Sequence, residues 1–108
     1  MTTLLAMFRA PEGGPEALAE FERRYRAEHL PLIAQTPGLL ATRVQWVTQA
    51  LDGETDLMLV TAMDFEDRAA LDAGLASDAM RAAGRNLREI APGLSMLLVL
   101  DDAPSPGG

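Results

Sequence analysis

The chain is expected to fold as one α+β domain with element order βαββαβ, and three features of the sequence predict it. Apolar runs suited to strands occupy both ends and the middle, where residues 39–50 and 55–63 flank Asp52-Gly53. That dipeptide is a hairpin signal because both positions tolerate positive φ. Between the first and second runs, Leu18, Phe21, Tyr25 and His29 recur at three- and four-residue steps, which is the spacing of one helix face. An alanine-rich stretch over 64–90 supplies a second helical region.

Residues 2–8 form the first predicted strand, closed by Ala10-Pro11-Glu12-Gly13-Gly14-Pro15, whose Pro and Gly content breaks any regular element. The first helix begins at Pro15, which suits a first helical position, and Glu16 and Glu20 precede Arg23 and Arg24 in the order that complements the helix dipole. Pro31 either ends or kinks this helix, since it removes an amide donor and clashes backward at ~3 kcal/mol. After Pro37-Gly38, residues 39–50 alternate imperfectly, with Leu40, Thr42, Val44, Trp46 and Thr48 on one face. The strand at 55–63 follows. The helical stretch is expected to be interrupted near Gly74 and Ser77, where Ser77 suits the cap of a new piece, giving two helices or one kinked helix. Residues 94–100 make the last strand. The domain is expected to span 1–101, and 102–108 has the composition of a flexible tail. This order is the split-βαβ, ferredoxin-like pattern, with the helices on one face of the sheet.

The other sheet face sets the partner. Residues 4–8 and 96–100 offer apolar side chains in both directions, and helices cover only one side. Burial of ~800 Å² per partner suffices for a stable association, so a homodimer through the open face is expected.

At 108 residues the chain can bury one core. It has no cysteine, which excludes disulfides, thiolate metal sites and a cysteine nucleophile. All nine basic residues are arginine against sixteen carboxylates, a net charge of -7, which disfavours nucleic acid. The run at 96–100 is far shorter than the ~20 residues of a membrane span, and no basic segment precedes the first apolar run. A cytoplasmic protein with no membrane contact is therefore expected.

One histidine and no cysteine leave metal sites without support, and Asp52-Gly53-Glu54-Thr55-Asp56 places its glycine wrongly for a calcium loop. Gly13-Gly14 lacks the spacing of a dinucleotide or phosphate loop, and no serine sits in a nucleophile elbow. No cofactor or metal is expected. The candidate chemistry lies in Tyr25-Arg26-Ala27-Glu28-His29-Leu30-Pro31, which holds the only tyrosine and the only histidine. His29 either gives and takes protons near neutrality or donates to a carbonyl freed by Pro31. Tyr25 continues the core stripe and can share a hydrogen-bond network with His29.

Tyr25-x-x-x-His29-x-Pro31-Leu32 followed by Pro37-Gly38-Leu39, a hairpin, Phe65-Glu66-Asp67 and Leu75-Ala76-Ser77-Asp78 resembles the EthD family of small dimeric α+β-barrel proteins. The resemblance runs to about Leu100. It implies a ferredoxin-like protomer that pairs into a barrel and holds a small pocket between sheet and helices. It further implies a protein binding a small apolar organic molecule, accessory to an oxidoreductase pathway that degrades ethers or aromatic and carbonyl compounds. The alternative it implies is a cofactor-free isomerase, cyclase, decarboxylase or monooxygenase. In that case His29 and Tyr25 are the catalytic residues, with Phe21 and Trp46 holding the ligand. Two departures stand out. Relatives often carry an Asp-Leu pair where this chain has Asn86-Leu87, and a second-strand tyrosine where it has Thr42, so Trp46 is left to supply the aromatic wall.

Overall fold

Alternation along the first strand decides which way the sheet faces. In β1 (Thr2–Arg9), Thr2, Leu4, Ala6 and Phe8 are buried while the residues between them are half-buried. The computed structural model describes residues 1–103, in which β1 is followed by α1 (Gly14–Arg24), a π-helical turn (Tyr25–His29) and α2 (Leu30–Ala34). Then come β2 (Ala41–Trp46), β3 (Leu57–Phe65), α3 (Arg68–Leu75), α4 (Asp78–Ile90) and β4 (Ser95–Asp101). The four strands form one antiparallel sheet in the order β2-β3-β1-β4, with helices packed on its inner face. This is the predicted ferredoxin-like α+β arrangement. The expected tail at 102–108 lies mostly outside the described residues.

Pro31 neither ends the helix nor leaves it unaltered. The Leu30 amide donates to the Tyr25 carbonyl, five residues back, so the turn before the proline is widened. Pro31 has no amide to offer, and the wider turn relieves its clash with the preceding carbonyls, so the helix continues to Ala34. The second helical region breaks as expected: Ser77 caps α4 by accepting from the Met80 amide at 3.2 Å. Asp67 caps α3 by accepting from the Ala70 amide at 2.8 Å. Asp64 and Phe65, read from the sequence as the opening of a helix, instead finish β3, because Phe65 continues the inward alternation of Leu59, Thr61 and Met63.

Both central strands are offset from their predicted bounds. The ladder places Trp46 opposite Leu59, a register centred on Asp52-Gly53, yet it stops at the Val47 amide, which donates to the Met58 carbonyl at 2.8 Å. A long loop rather than a two-residue turn closes the hairpin. Beside it β3 carries a bulge, where Met58 is the extra residue between Leu59 opposite Phe8 and Leu57 opposite Arg9, and beyond it the Ala10 amide donates to the Asp56 carbonyl at 2.9 Å.

The core gathers Phe8, Phe21, Tyr25, Ile33, Leu59, Met63, Phe65 and Leu71 between sheet and helices. Gly74 lies inside α3 for a packing reason, since a Cβ there would stand 2.9 Å from Phe65 Cε1 and 3.1 Å from Thr36 Cγ2. Phe65 is fully buried and cannot retreat. Gly74→Ala is therefore expected to lower stability by about 1–3 kcal/mol through overpacking. Helix propensity alone would favour alanine by about 1 kcal/mol. Urea unfolding decides between them: a lower midpoint at unchanged slope supports the close approach, and a higher midpoint refutes it.

The outer sheet face carries Leu5, Met7, Val60, Ala62, Met96, Leu98 and Leu100, with Arg43 and Gln45 towards the β2 edge. Met96, Leu98 and Leu100 are exposed in the isolated chain. Among the described residues no helix is long and apolar enough to cross a membrane.

Candidate functional site

The helical stripe seen in the sequence becomes a column of rings. Phe21 stacks on Tyr25 with centroids 5.4 Å apart, and Tyr25 stacks on His29 at 5.1 Å. Phe8 closes on the edge of Tyr25 at 5.4 Å and on Phe21 at 5.8 Å. The column starts in the core and ends at a cavity of about 410 Å³ between the inner sheet face and α4. Leu4, Ala6, Met63 and Leu97 form the sheet wall, Tyr25, His29 and Ile33 a second wall, and one face of α4 the third.

His29 is 4% exposed, and its hydrogen bonding fixes its tautomer. Asn86 Nδ2 donates to Glu28 Oε1 at 2.9 Å. A carboxylate oxygen only accepts, so the amide cannot be turned the other way. Asn86 Oδ1 therefore faces His29 Nδ1 at 3.1 Å and accepts from it. The proton sits on Nδ1 and the lone pair on Nε2, for which no protein donor is found among the described residues. Burial pushes the His29 pKa down from 6.5, only partly countered by the Asn86 bond, so the ring is neutral at neutral pH. The histidine thus does not bond a carbonyl freed by Pro31, which was the other reading of the sequence.

Behind Asn86 stands a charged support. Arg24 donates to both Glu28 oxygens, at 2.8 and 3.0 Å, and reaches Glu89 at 3.2 Å. These bonds hold the Glu28 carboxyl below the usual carboxylate range. Tyr25 pairs its hydroxyl with Thr61 Oγ1, and burial pushes its phenol up from 10.0 to about 12, so it stays protonated.

The four residues singled out from sequence part into two sets. His29 and Tyr25 meet at the cavity wall, whereas Phe21 and Trp46 do not line it. Phe21 is buried one layer behind, as the support of Tyr25. Trp46 shares the inward-facing side of the sheet with Leu59 but sits on the edge strand β2, beyond the helices, and is 38% exposed. Sequence reading missed the α4 wall: Met80, Arg81, Ala83, Gly84, Arg85, Leu87 and Arg88. Its spacing is helical, so the face was visible, but what it opposes is set by long-range packing. Among the described residues no cluster of three or more His, Asp or Glu could hold a metal.

A scan of protein-family models and a search of curated proteins return no match. Solved structures do. An ethyl tert-butyl ether D (EthD) family protein from Bacillus halodurans C-125 superposes with a TM-score of 0.84 at 25% identity, over 95% of this chain and 99% of the other. A dimeric ferredoxin-like protein of unknown function from Jannaschia sp. CCS1 gives 0.68 at 20% identity, over 94% and 100%. SnoaB, a cofactor-independent oxygenase from Streptomyces nogalater, gives 0.64 at 20% identity, over 96% and 94%.

Proposed function

We propose that this chain, an EthD-like protein of the ferredoxin-like fold, binds a small, mostly apolar organic molecule in the cavity beside His29 and works as a homodimer. The observation that carries the reading is the Nε2 of a neutral, tautomerically fixed histidine, without a protein partner among the described residues, lining a largely apolar cavity. Such a nitrogen accepts one hydrogen bond from a hydroxyl or amide of the ligand. A pocket of a few hundred Å³ with mostly apolar walls and a few placed polar groups is typical of small-molecule sites. The homodimer reading draws on the apolar outer sheet face and on structural neighbours described as dimeric.

The role that fits best is an accessory one, holding a compound for an oxidoreductase acting in the degradation of ethers or of aromatic and carbonyl compounds. His29 has a neutral partner in Asn86 rather than a carboxylate, so the imidazolium that proton abstraction would create gains only one hydrogen bond from an amide oxygen against the cost of burial. The second reading is cofactor-free proton transfer on a carbonyl or lactone, with His29 as base and Tyr25 as its protonated neighbour. It is favoured by the free Nε2 lone pair and by the likeness in fold to a cofactor-independent oxygenase.

Fluorescence titration with 2-naphthol and 2-methylnaphthalene tests the binding reading. His29→Ala is expected to weaken 2-naphthol by about 2- to 10-fold, one neutral hydrogen bond, and to leave 2-methylnaphthalene within twofold. Equal effects on both would remove the role given to Nε2. Native mass spectrometry of protein taken from its host then separates the two roles. A retained compound recovered unchanged after incubation in air supports the accessory reading. Conversion that disappears in His29→Ala establishes the catalytic one.

A further inference from the structure

The α4 wall of the cavity is built against its own helix. Arg81, Gly84, Arg85 and Arg88 fall at i, i+3, i+4 and i+7, one stripe, and all four line the cavity. Like charges at these spacings repel, and a glycine in mid-helix weakens it. Nothing in the fold requires that glycine: a Cβ at Gly84 would meet only Arg88 Nη1, at 3.7 Å.

The chain has carboxylates to spare, sixteen against nine arginines. Arg9, Arg23, Arg24, Arg26 and Arg68 all take ion-pair partners. Of the four without one among the described residues, three are those of the α4 stripe. Glu89, four residues after Arg85 and placed to pair with it, turns instead to Arg24 at 3.2 Å. The stripe is left as exposed guanidinium groups where the cavity meets solvent.

We propose that the ligand is an organic acid, its carboxylate held at the cavity mouth by Arg81, Arg85 and Arg88 while its apolar body lies in the space that Gly84 leaves open. This rests on the cavity reading above and adds the chemical class. A guanidinium fork matches a carboxylate bidentately, and the stripe brings three such groups to the cavity. The other end of the ligand faces His29, whose Nε2 lone pair repels an anion and accepts a donor. The compound is therefore an acid at the mouth and a hydroxyl or amide at the depth. The net charge of -7 disfavours polyanions at long range, so a monoanion with a ring body fits better than a nucleotide.

The test compares 6-hydroxy-2-naphthoate with its neutral amide, 6-hydroxy-2-naphthamide, which shares the ring and the hydroxyl. The acid is expected to bind the wild-type protein at least about tenfold more tightly at low salt, the effect of a charge-assisted contact. That advantage should shrink at high ionic strength and vanish in the triple variant Arg81→Gln, Arg85→Gln, Arg88→Gln, while the amide's affinity holds. Gly84→Leu, which fills the cavity, should weaken both probes, and Gly84→Ala should do so to a lesser degree if the leucine variant does not fold. Equal affinity for acid and amide, with both weakened at Gly84, overturns the acid class and leaves the cavity reading standing. Failure of both probes to bind, or indifference to both Gly84 variants, removes the cavity reading and this inference together.

Discussion

Replacing Asn86 by Asp is expected to lift the pKa of His29 from below its ordinary 6.5 to above it. The present value is set by burial against a neutral partner. A carboxylate beside Nδ1–H would stabilise the imidazolium directly. Because His29 is the only histidine, its ring resonances in a proton NMR titration report the shift without assignment. An unchanged or lower pKa would show that the Asn86 contact does not govern the ring. Below the raised pKa Nε2 carries a proton, so the acceptor that should hold 2-naphthol is lost there and its binding should weaken at a higher pH than in the wild type.

The same substitution should reverse part of the pH dependence of stability. In the wild type the folded pKa lies below the unfolded one, so the unfolded chain takes the proton first. His29's contribution to stability is complete above about pH 6.5 and declines as pH falls through the folded value. In the Asn86→Asp variant the folded pKa lies higher. Its contribution is complete below about pH 6.5 and is lost as pH rises through the new value. A second cost is superimposed, because the other oxygen of the introduced carboxylate would face Glu28 where an amide now donates at 2.9 Å. An amide at this position meets two opposite demands: it donates to a carboxylate and accepts from an imidazole. That is a physical reason for this chain to depart from the Asp-Leu pair implied by its resemblance to EthD proteins.

The local parts of this site were legible in the sequence, and the long-range parts were not. Tyr25 and His29 share a face because they are four residues apart, and their stacking follows from that spacing and the widened turn before Pro31. Ser77 as a cap and the inward alternation of β1 are equally local. Trp46 shows the boundary. Strand parity gave its face correctly, but whether a helix reaches over that face depends on strand order, and β2 lies at the edge. Phe21 shows the same limit in a helix, where periodicity gives direction but not depth. Asn86 meets His29 across 57 residues of chain, and the α4 arginines gain meaning only once Glu89 is seen to pair with Arg24.

Leu98→Asp is expected to split the proposed dimer while leaving the protomer folded. On the outer sheet face Leu98 stands opposite Leu5, which stands opposite Ala62, and the neighbouring row runs Met96, Met7, Val60. Leu98 is 37% exposed in the isolated chain, so a carboxylate there can reach water in a monomer. In a dimer closed over these rows it could not, and an unpaired buried charge costs several kcal/mol. The dissociation constant should rise at least about 100-fold, enough for sedimentation velocity at micromolar concentration to change from dimer to monomer. Leu51→Asp, on the exposed hairpin loop, serves as the control and should leave the dimer intact. A wild-type monomer would overturn the homodimer itself, whereas a Leu98→Asp protein that remains dimeric would place the interface away from this face. In that second case the exposed Met96, Leu98 and Leu100 would call for another partner on this face.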